Sequence, residues 1–134
     1  MKVDGRCHCG HITYLAEIDP KQVSICHCTD CQQLTGSAFR VTATVPREAF
    51  RLTGAAPRCY IKTGDNGKRR LQFFCQECGT PIYTTGEGAA AREIGIRTGT
   101  LSQRSQLRPT SQIWCASALP WLEDIPDIPG RSGD

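Results

Sequence analysis

The sequence predicts a mainly β domain with short helices, held together by zinc. Short runs of alternating apolar and polar residues recur along the chain, with turn residues between them. Stretches that favour a helix are few. Nine cysteines stand among 134 residues, and seven of them fall into three clusters. A chain of this length suits one domain with one core.

The strand predictions rest on alternation. Ile12–Ile18 is expected to form a half-buried strand, and the clearest pattern is Phe39–Val45, whose polar positions begin at Arg40. Arg58–Lys62 is predicted to pair with Arg70–Phe74 across a loop that contains two glycines. Further strands are expected around Phe50 and Leu52 and at Ile82–Thr85, Glu93–Thr98 and Ser111–Ala116.

Helices are predicted at only three places. The best candidate begins with Thr29 or Asp30 as N-cap and ends at Gly36. Glu87–Arg92 is rich in alanine, and Leu101–Leu107 has room for one helical turn.

One domain followed by a short tail is expected. Residues 1–125 are predicted to form a single zinc-binding β domain, and residues 126–134 a flexible C-terminal tail. From Pro120 onward the chain is predicted to be extended and anchored by Trp121.

Cysteine usage predicts a cytoplasmic protein. The segment from Met1 to Cys9 has no apolar run of the kind that a signal peptide needs. No stretch approaches the roughly 18 consecutive apolar residues that suggest a membrane-spanning helix, so no membrane partner is expected. In a reducing compartment disulfides are rare and clustered thiols usually bind metal. An odd number of cysteines also cannot pair completely.

The spacing within the cysteine clusters suits metal binding. In extended chain, residues i and i+2 project to the same face, so a C-x-C pair can bind one ion. A C-x-x-C pair folds into a tight turn that brings both sulfurs to about 2.3 Å from a shared metal. We expect two zinc ions per chain, with iron–sulfur as the minor alternative. The clusters are Cys7-His8-Cys9, Cys26-His27-Cys28-Thr29-Asp30-Cys31 and Cys75-Gln76-Glu77-Cys78-Gly79.

Seven thiols divide into four and three. Cys26, Cys28 and Cys31 lie within six residues and can form a three-ligand site alone, which leaves a position for water or substrate. That cluster runs into the predicted helix, whose N-terminus favours thiolates, so reactivity is expected there. The remaining pairs would close a structural site between distant strands: Cys7 with Cys9, and Cys75 with Cys78.

Residues around the cysteines extend the pattern. Gly5-Arg6 precedes the first cluster, Gly36 and Phe39 follow the second, Phe74 precedes the third, and Pro120-Trp121-Leu122 comes last. Over Gly5 to Glu123 the order resembles the glutathione-dependent formaldehyde-activating enzyme family. The resemblance implies a Mss4-like fold with two zinc sites. It assigns Cys7, Cys9, Cys75 and Cys78 to structural zinc, and Cys26, Cys28 and Cys31 to catalytic zinc.

The same resemblance implies a reaction. The family's name-giving activity joins formaldehyde to glutathione and gives S-hydroxymethylglutathione, which is carbon–sulfur lyase chemistry. We therefore expect an enzyme whose partner is glutathione or a related small thiol, and whose second substrate is formaldehyde or another small aldehyde.

Two other classes of protein compete with this reading. A non-catalytic protein-interaction module of the same fold would result if Cys59, Cys115 or a histidine completed the second zinc site. A nucleic-acid-binding zinc ribbon is disfavoured, because the formal net charge of +3 is cancelled once seven thiolates and two Zn²⁺ are included.

Several other residues have ordinary structural explanations. His8 and His27 are expected to point away from the metals, and Asp30 to cap the helix, with proton transfer as its alternative. Cys59 and Cys115 are expected to be buried structural thiols. Trp114, Trp121, Tyr60 and Phe73 are expected in the core. A solvated loop face is favoured over an anion-binding role for Arg40, Lys62, Lys68, Arg69 and Arg70.

Overall fold

Ten β-strands, one α-helix and six 3-10 helices make up the computed structural model, which describes residues 1–134. The predicted mainly β class is confirmed. None of the helices combines the length and the apolarity needed to cross a lipid bilayer. The elements are β1 (Lys2–Arg6), β2 (Thr13–Glu17), β3 (Val23–Cys26), α1 (Thr29–Thr35), β4 (Arg40–Pro46), β5 (Phe50–Leu52), β6 (Arg58–Thr63), β7 (Arg69–Phe74), β8 (Pro81–Thr85), β9 (Glu93–Arg97) and β10 (Ser111–Ile113).

The strands form two sheets. The smaller sheet has the order β1-β2-β5, and the larger has the order β10-β3-β4-β9-β8-β7-β6. Every neighbouring pair is antiparallel except β10 and β3, which are parallel. The predicted pairing across the glycine-containing loop is confirmed, because β6 and β7 are aligned from Arg58 opposite Phe74 to Thr63 opposite Arg69.

The core lies between the two sheets. Ile12, Tyr14, Ala16 and Ile18 are all buried, so the alternation that predicted β2 corresponds to one inward face. These four residues belong to a cluster of 16 buried residues, which also contains Tyr83 of the larger sheet. Phe50 joins the sheets, because its ring lies 5.1 Å from that of Tyr14 and 4.7 Å from that of Tyr83, centroid to centroid. Burial of this shared face holds the sheets together.

The C-terminal part of the chain differs from the prediction. The strand expected over Ser111–Ala116 ends at Ile113, because Trp114 adopts a left-handed conformation with φ of 56°. The segment expected to be extended from Pro120 is a 3-10 helix, Pro120–Asp127, with proline in its first turn. Trp121 is 47% exposed and does not anchor it. The flexibility of residues 126–134 stays a prediction.

Candidate metal centres

Two turns from different sheets carry the four-cysteine cluster. Cys7 and Cys9 lie between β1 and β2 of the smaller sheet, whereas Cys75 and Cys78 lie between β7 and β8 of the larger sheet. The four sulfurs lie within 4.8 Å of one another. A metal ion bound here would therefore link the two sheets at one end.

The distances within this cluster match a tetrahedral thiolate site. Cys7 Sγ lies 3.6 Å from Cys9 Sγ, and Cys9 Sγ lies 3.8 Å from Cys75 Sγ. Sulfurs at the corners of a regular tetrahedron are about 3.8 Å apart when each Zn–S bond is about 2.3 Å. The donor set and its size therefore fit zinc.

Hydrogen bonds to two of these cysteines, Cys7 and Cys78, favour the thiolate form that binds metal. The Ile12 amide donates to Cys7 Sγ at 3.2 Å. The Thr80 hydroxyl lies 3.1 Å from Cys78 Sγ, and this contact, with backbone amides, lowers the pKa of Cys78 to about 5. Gly79 follows the turn with a φ of 77°, a left-handed conformation that glycine adopts without strain.

The three-cysteine cluster surrounds the beginning of α1. Cys26 ends β3, Cys28 precedes the helix and Cys31 lies in its first turn, with the three sulfurs within 4.8 Å of one another. The prediction of Thr29 or Asp30 as N-cap is wrong. Cys28 is the cap, because its sulfur accepts the Cys31 amide at 3.2 Å in place of a side-chain oxygen.

The thiols of this cluster differ in acidity. Burial, followed by the contact with Cys28, raises the pKa of Cys31 to about 12. Burial also acts to raise the pKa of Cys28, but the Cys31 thiol and amide stabilise its thiolate, and the net shift is downward. Without metal, the cluster therefore retains protons that a divalent cation has to displace.

A cavity of about 460 Å³ opens beside Cys28. Its walls carry both charge signs, including Lys62, Lys68 and Arg70 from the β6–β7 hairpin and its loop. Lys62 Nζ forms an ion pair with Asp30 Oδ2 at 2.8 Å, so the predicted capping role of Asp30 is replaced by this contact. Trp114 lines the cavity as well and is 61% exposed, which contradicts its expected place in the core.

The family model described as glutathione-dependent formaldehyde-activating enzyme matches residues 2–117. The chain belongs to this family. Two relatives, from Colletotrichum graminicola and Penicillium rubens, are provisionally named glutathione-dependent formaldehyde-activating enzymes. They are 30% and 25% identical to it over 80 residues, which is 58% of this chain and 41% of each relative. The chain thus spans about two fifths of their length.

A solved structure supports the fold of this family member. A Rhodobacter sphaeroides protein superposes with a TM-score of 0.62 at 18% identity, over 81% of this chain and 98% of that one. The two sheets and the two cysteine clusters are consistent with the Mss4-like fold that the family resemblance implied.

Neither histidine flanked by cysteines joins a metal cluster in this family member. His27 is buried between Cys26 and Cys28, and its Nε2 lies 2.7 Å from Gln112 Oε1 of β10. This contact ties the edge strand to the loop before α1. His8 is exposed.

The remaining cysteines lie outside both clusters. Cys59 and Cys115 are exposed, so the expectation that they are buried is wrong. Tyr60 is also exposed, whereas Phe73 packs against the core as predicted. β6 is an edge strand of the larger sheet and is exposed on both faces, which explains the exposure of Cys59 and Tyr60.

One face of the larger sheet carries arginines that the sequence interpretation misjudged. Arg40 lies opposite Cys26 in the ladder, and Arg97 lies opposite Thr42 on the other side of β4. Both arginines are buried, at 7% and 8% exposure, so the solvated-loop reading of Arg40 is wrong. Arg97 was not recognised at all. For Arg40 the alternation in β4 was the available signal, since it placed Arg40 and Thr42 on the face opposite the core.

Proposed function

We propose that this protein is a zinc-dependent carbon–sulfur lyase acting on adducts of glutathione, or a related thiol, with formaldehyde or another small aldehyde. The observation that carries the proposal is a cluster of three cysteines, Cys26, Cys28 and Cys31, beside a cavity lined by cationic side chains. Three protein ligands with an open fourth position are typical of catalytic zinc.

The cavity suits a thiol that bears carboxylates. Lys62, Lys68 and Arg70 outnumber Asp30 and Asp65 in its lining, so the side where Cys28 is accessible carries a net positive charge. The pKa of Lys62 is raised because its contacts with Asp30 outweigh the effect of burial, so the ammonium group stays charged. These cations would orient glutathione with its sulfur toward the cysteines.

The proposed reaction is reversible addition. The thiol releases its proton, its sulfur forms a bond to the carbonyl carbon, and the carbonyl electron pair moves to oxygen, which takes up a proton. Cleavage of the adduct reverses each step. When bound, Zn²⁺ supplies positive charge that favours the thiolate at neutral pH. The chain contributes the three thiol ligands and the cations that orient the substrate.

Zinc content is the first expected result. Protein purified without added metal under reducing conditions should contain about two zinc per chain, because four and three cysteines converge at separate places. Elemental analysis measures this value. One zinc per chain would leave the catalytic site without support, and iron in place of zinc would favour the iron–sulfur alternative.

Binding of a small thiol is the second expected result. Glutathione should bind with release of a proton, because a thiol must deprotonate to become a zinc ligand. Calorimetry in two buffers of different ionisation enthalpy measures the proton, and cobalt-substituted protein should change its visible spectrum. S-methylglutathione, which has no thiol, is the matched control and should give neither signal.

The result of that titration also separates the enzyme from the interaction module. The absence of proton release and of a spectral change at millimolar glutathione would indicate a closed second site. The location of Cys59 and Cys115 outside the cluster and the contact of His27 with Gln112 support an open one. Clustered thiols that serve as ligands need a reducing compartment, which supports a cytoplasmic location.

A further inference from the structure

The two buried arginines share one acceptor. Arg97 Nη2 donates to Gln72 Oε1 at 2.7 Å, and Arg40 Nη1 lies 3.5 Å from the same oxygen. Arg97 also donates to Thr42 Oγ1 at 3.0 Å, and no hydrogen-bond partner reaches the buried Arg40 Nε. Burial, followed by repulsion from Arg40, lowers the pKa of Arg97 to about 9. The pair is therefore poorly compensated within the chain.

No carboxylate of the chain neutralises either arginine. The two ion pairs of the protein join Lys62 to Asp30 and Arg69 to Glu87. Buried charges in proteins are normally paired or bound to metal, because an unpaired one is costly. Two guanidinium groups that share a single amide oxygen therefore lack hydrogen-bond acceptors. A small anion would supply them.

A second cavity, of about 170 Å³, exposes this pair to ligands. Its polar lining includes Arg40, Arg97 and Gln72, and its apolar lining includes Leu34 of the helix that carries Cys31. No cysteine lines this cavity, but strand pairing places Arg40, which forms part of its wall, beside Cys26 of the three-cysteine cluster. It is much smaller than the cavity on the Cys28 side and has room for only a few heavy atoms.

The charges around the cluster are compatible with an anion at the two arginines. Three thiolates and one Zn²⁺ would carry a net charge of −1, which offsets one of the two guanidinium charges of Arg40 and Arg97. One positive charge of the pair is then left for a bound anion.

We propose that Arg40 and Arg97 bind a carboxylate, and that the aldehyde handled at this site carries that carboxylate next to its carbonyl carbon. This inference rests on the proposed function and names its second substrate. The sulfur of the thiol forms the new C–S bond, the carbonyl electron pair moves to oxygen and takes up a proton, and the carboxylate is unchanged. Glutathione occupies the larger cavity, because a tripeptide does not fit the smaller one.

Direct binding tests the site without any reaction. Oxamate is an unreactive analogue of such an aldehyde acid, and oxamide is its uncharged isostere. Calorimetry with the zinc-loaded protein should show oxamate binding at least about tenfold more tightly than oxamide, because guanidinium groups form stronger hydrogen bonds to a carboxylate than to a neutral amide. Equal affinities, or no binding of oxamate at tens of millimolar, would overturn the proposal.

Substitutions locate the binding. Arg97→Gln and Arg40→Gln should each weaken oxamate binding at least about tenfold while two zinc are retained. Arg69→Gln is the matched control, because it removes one charge from the same sheet at an exposed ion pair and should leave the affinity unchanged. Equal losses in all three variants would indicate a general effect of charge and refute the site. If Arg97→Gln or Arg40→Gln does not fold, the affinities of the wild-type protein for oxamate and oxamide decide whether the site binds a carboxylate.

Combining each of two aldehydes with each of two thiols tests whether the bound carboxylate belongs to the aldehyde or to the thiol. Glyoxylate and formaldehyde should each be assayed with glutathione and with 2-mercaptoethanol, which has no carboxylate. In Arg97→Gln the ratio of kcat/KM for glyoxylate to that for formaldehyde should fall at least about tenfold with both thiols. A loss confined to glutathione would assign the carboxylate to the thiol and overturn the aldehyde assignment. Absence of reaction with every pair would refute the proposed lyase activity. The oxamate binding measurement would still show whether Arg40 and Arg97 bind a carboxylate.

Discussion

Replacement of Cys75 by serine is expected to abolish cooperative folding or to lower Tm by at least about 20 °C. Cys75 is fully buried and joins the turn between β7 and β8 to the turn between β1 and β2. Structural zinc contributes about 10–16 kcal/mol of apparent binding free energy in zinc-finger peptides, whereas a whole domain is stable by only about 5–15 kcal/mol. Loss of one ligand from such a site removes a large part of that stability.

Thermal unfolding followed by circular dichroism in reducing buffer, together with zinc analysis, measures this effect. Cys59→Ser is the matched control, because it makes the same change at an exposed cysteine outside both clusters. Its Tm should remain within a few degrees of the wild-type value. A folded Cys75→Ser protein with two zinc, alongside an unfolded Cys31→Ser protein, would reverse the assignment of structural and catalytic sites.

Cys28→Ser is expected to leave the fold intact and to remove activity. Serine is among the best N-cap residues, so its hydroxyl can accept the Cys31 amide in place of the sulfur and preserve the beginning of α1. Serine is a much poorer zinc ligand than cysteine. Zinc should therefore fall from about two to about one per chain. Thiol-dependent kcat/KM should fall by more than the roughly 10–100-fold that results from loss of a residue that hydrogen-bonds to a metal ligand.

Three measurements on one preparation check this expectation: zinc content, Tm, and the rate of adduct formation from glutathione and aldehyde. Cys115→Ser is the control, since this exposed cysteine lies in a separate 3-10 helix. Retention of both zinc ions and of the wild-type rate in Cys28→Ser would show that the catalytic centre lies elsewhere. A collapse of Tm would indicate that the three-cysteine site is structural.

Alternation in the sequence predicted the strands that have one apolar face and missed those that lack this signal. β2 was predictable because its buried positions are all apolar, from Ile12 to Ile18. β1 was not predicted, because one of its two buried positions is Gly5, which packs under the ring of Tyr14 and leaves no space for a side chain. β3 has only four residues and ends in a cysteine.

Some features of the candidate site could also be predicted from the sequence, and others could not. The spacing of the cysteines predicted which of them lie together, because ligands that are close in sequence remain close in space. Arg97 and the Gln72 amide could not be anticipated, because their meeting depends on the register of β4, β9, β8 and β7. The sulfur cap of Cys28 was missed because rules for helix caps consider oxygen acceptors.

The two clusters impose different requirements on a chain that is being synthesised. Cys26, Cys28 and Cys31 leave the ribosome together and can capture metal while the rest of the protein is still absent. Cys9 must wait for Cys75, which lies 66 residues further on, and closing a loop of that length costs about 3–4 kcal/mol of chain entropy. The three-cysteine site can thus be loaded before the link between the sheets exists. A nascent chain would carry a coordinated metal through the period in which its core has not yet formed.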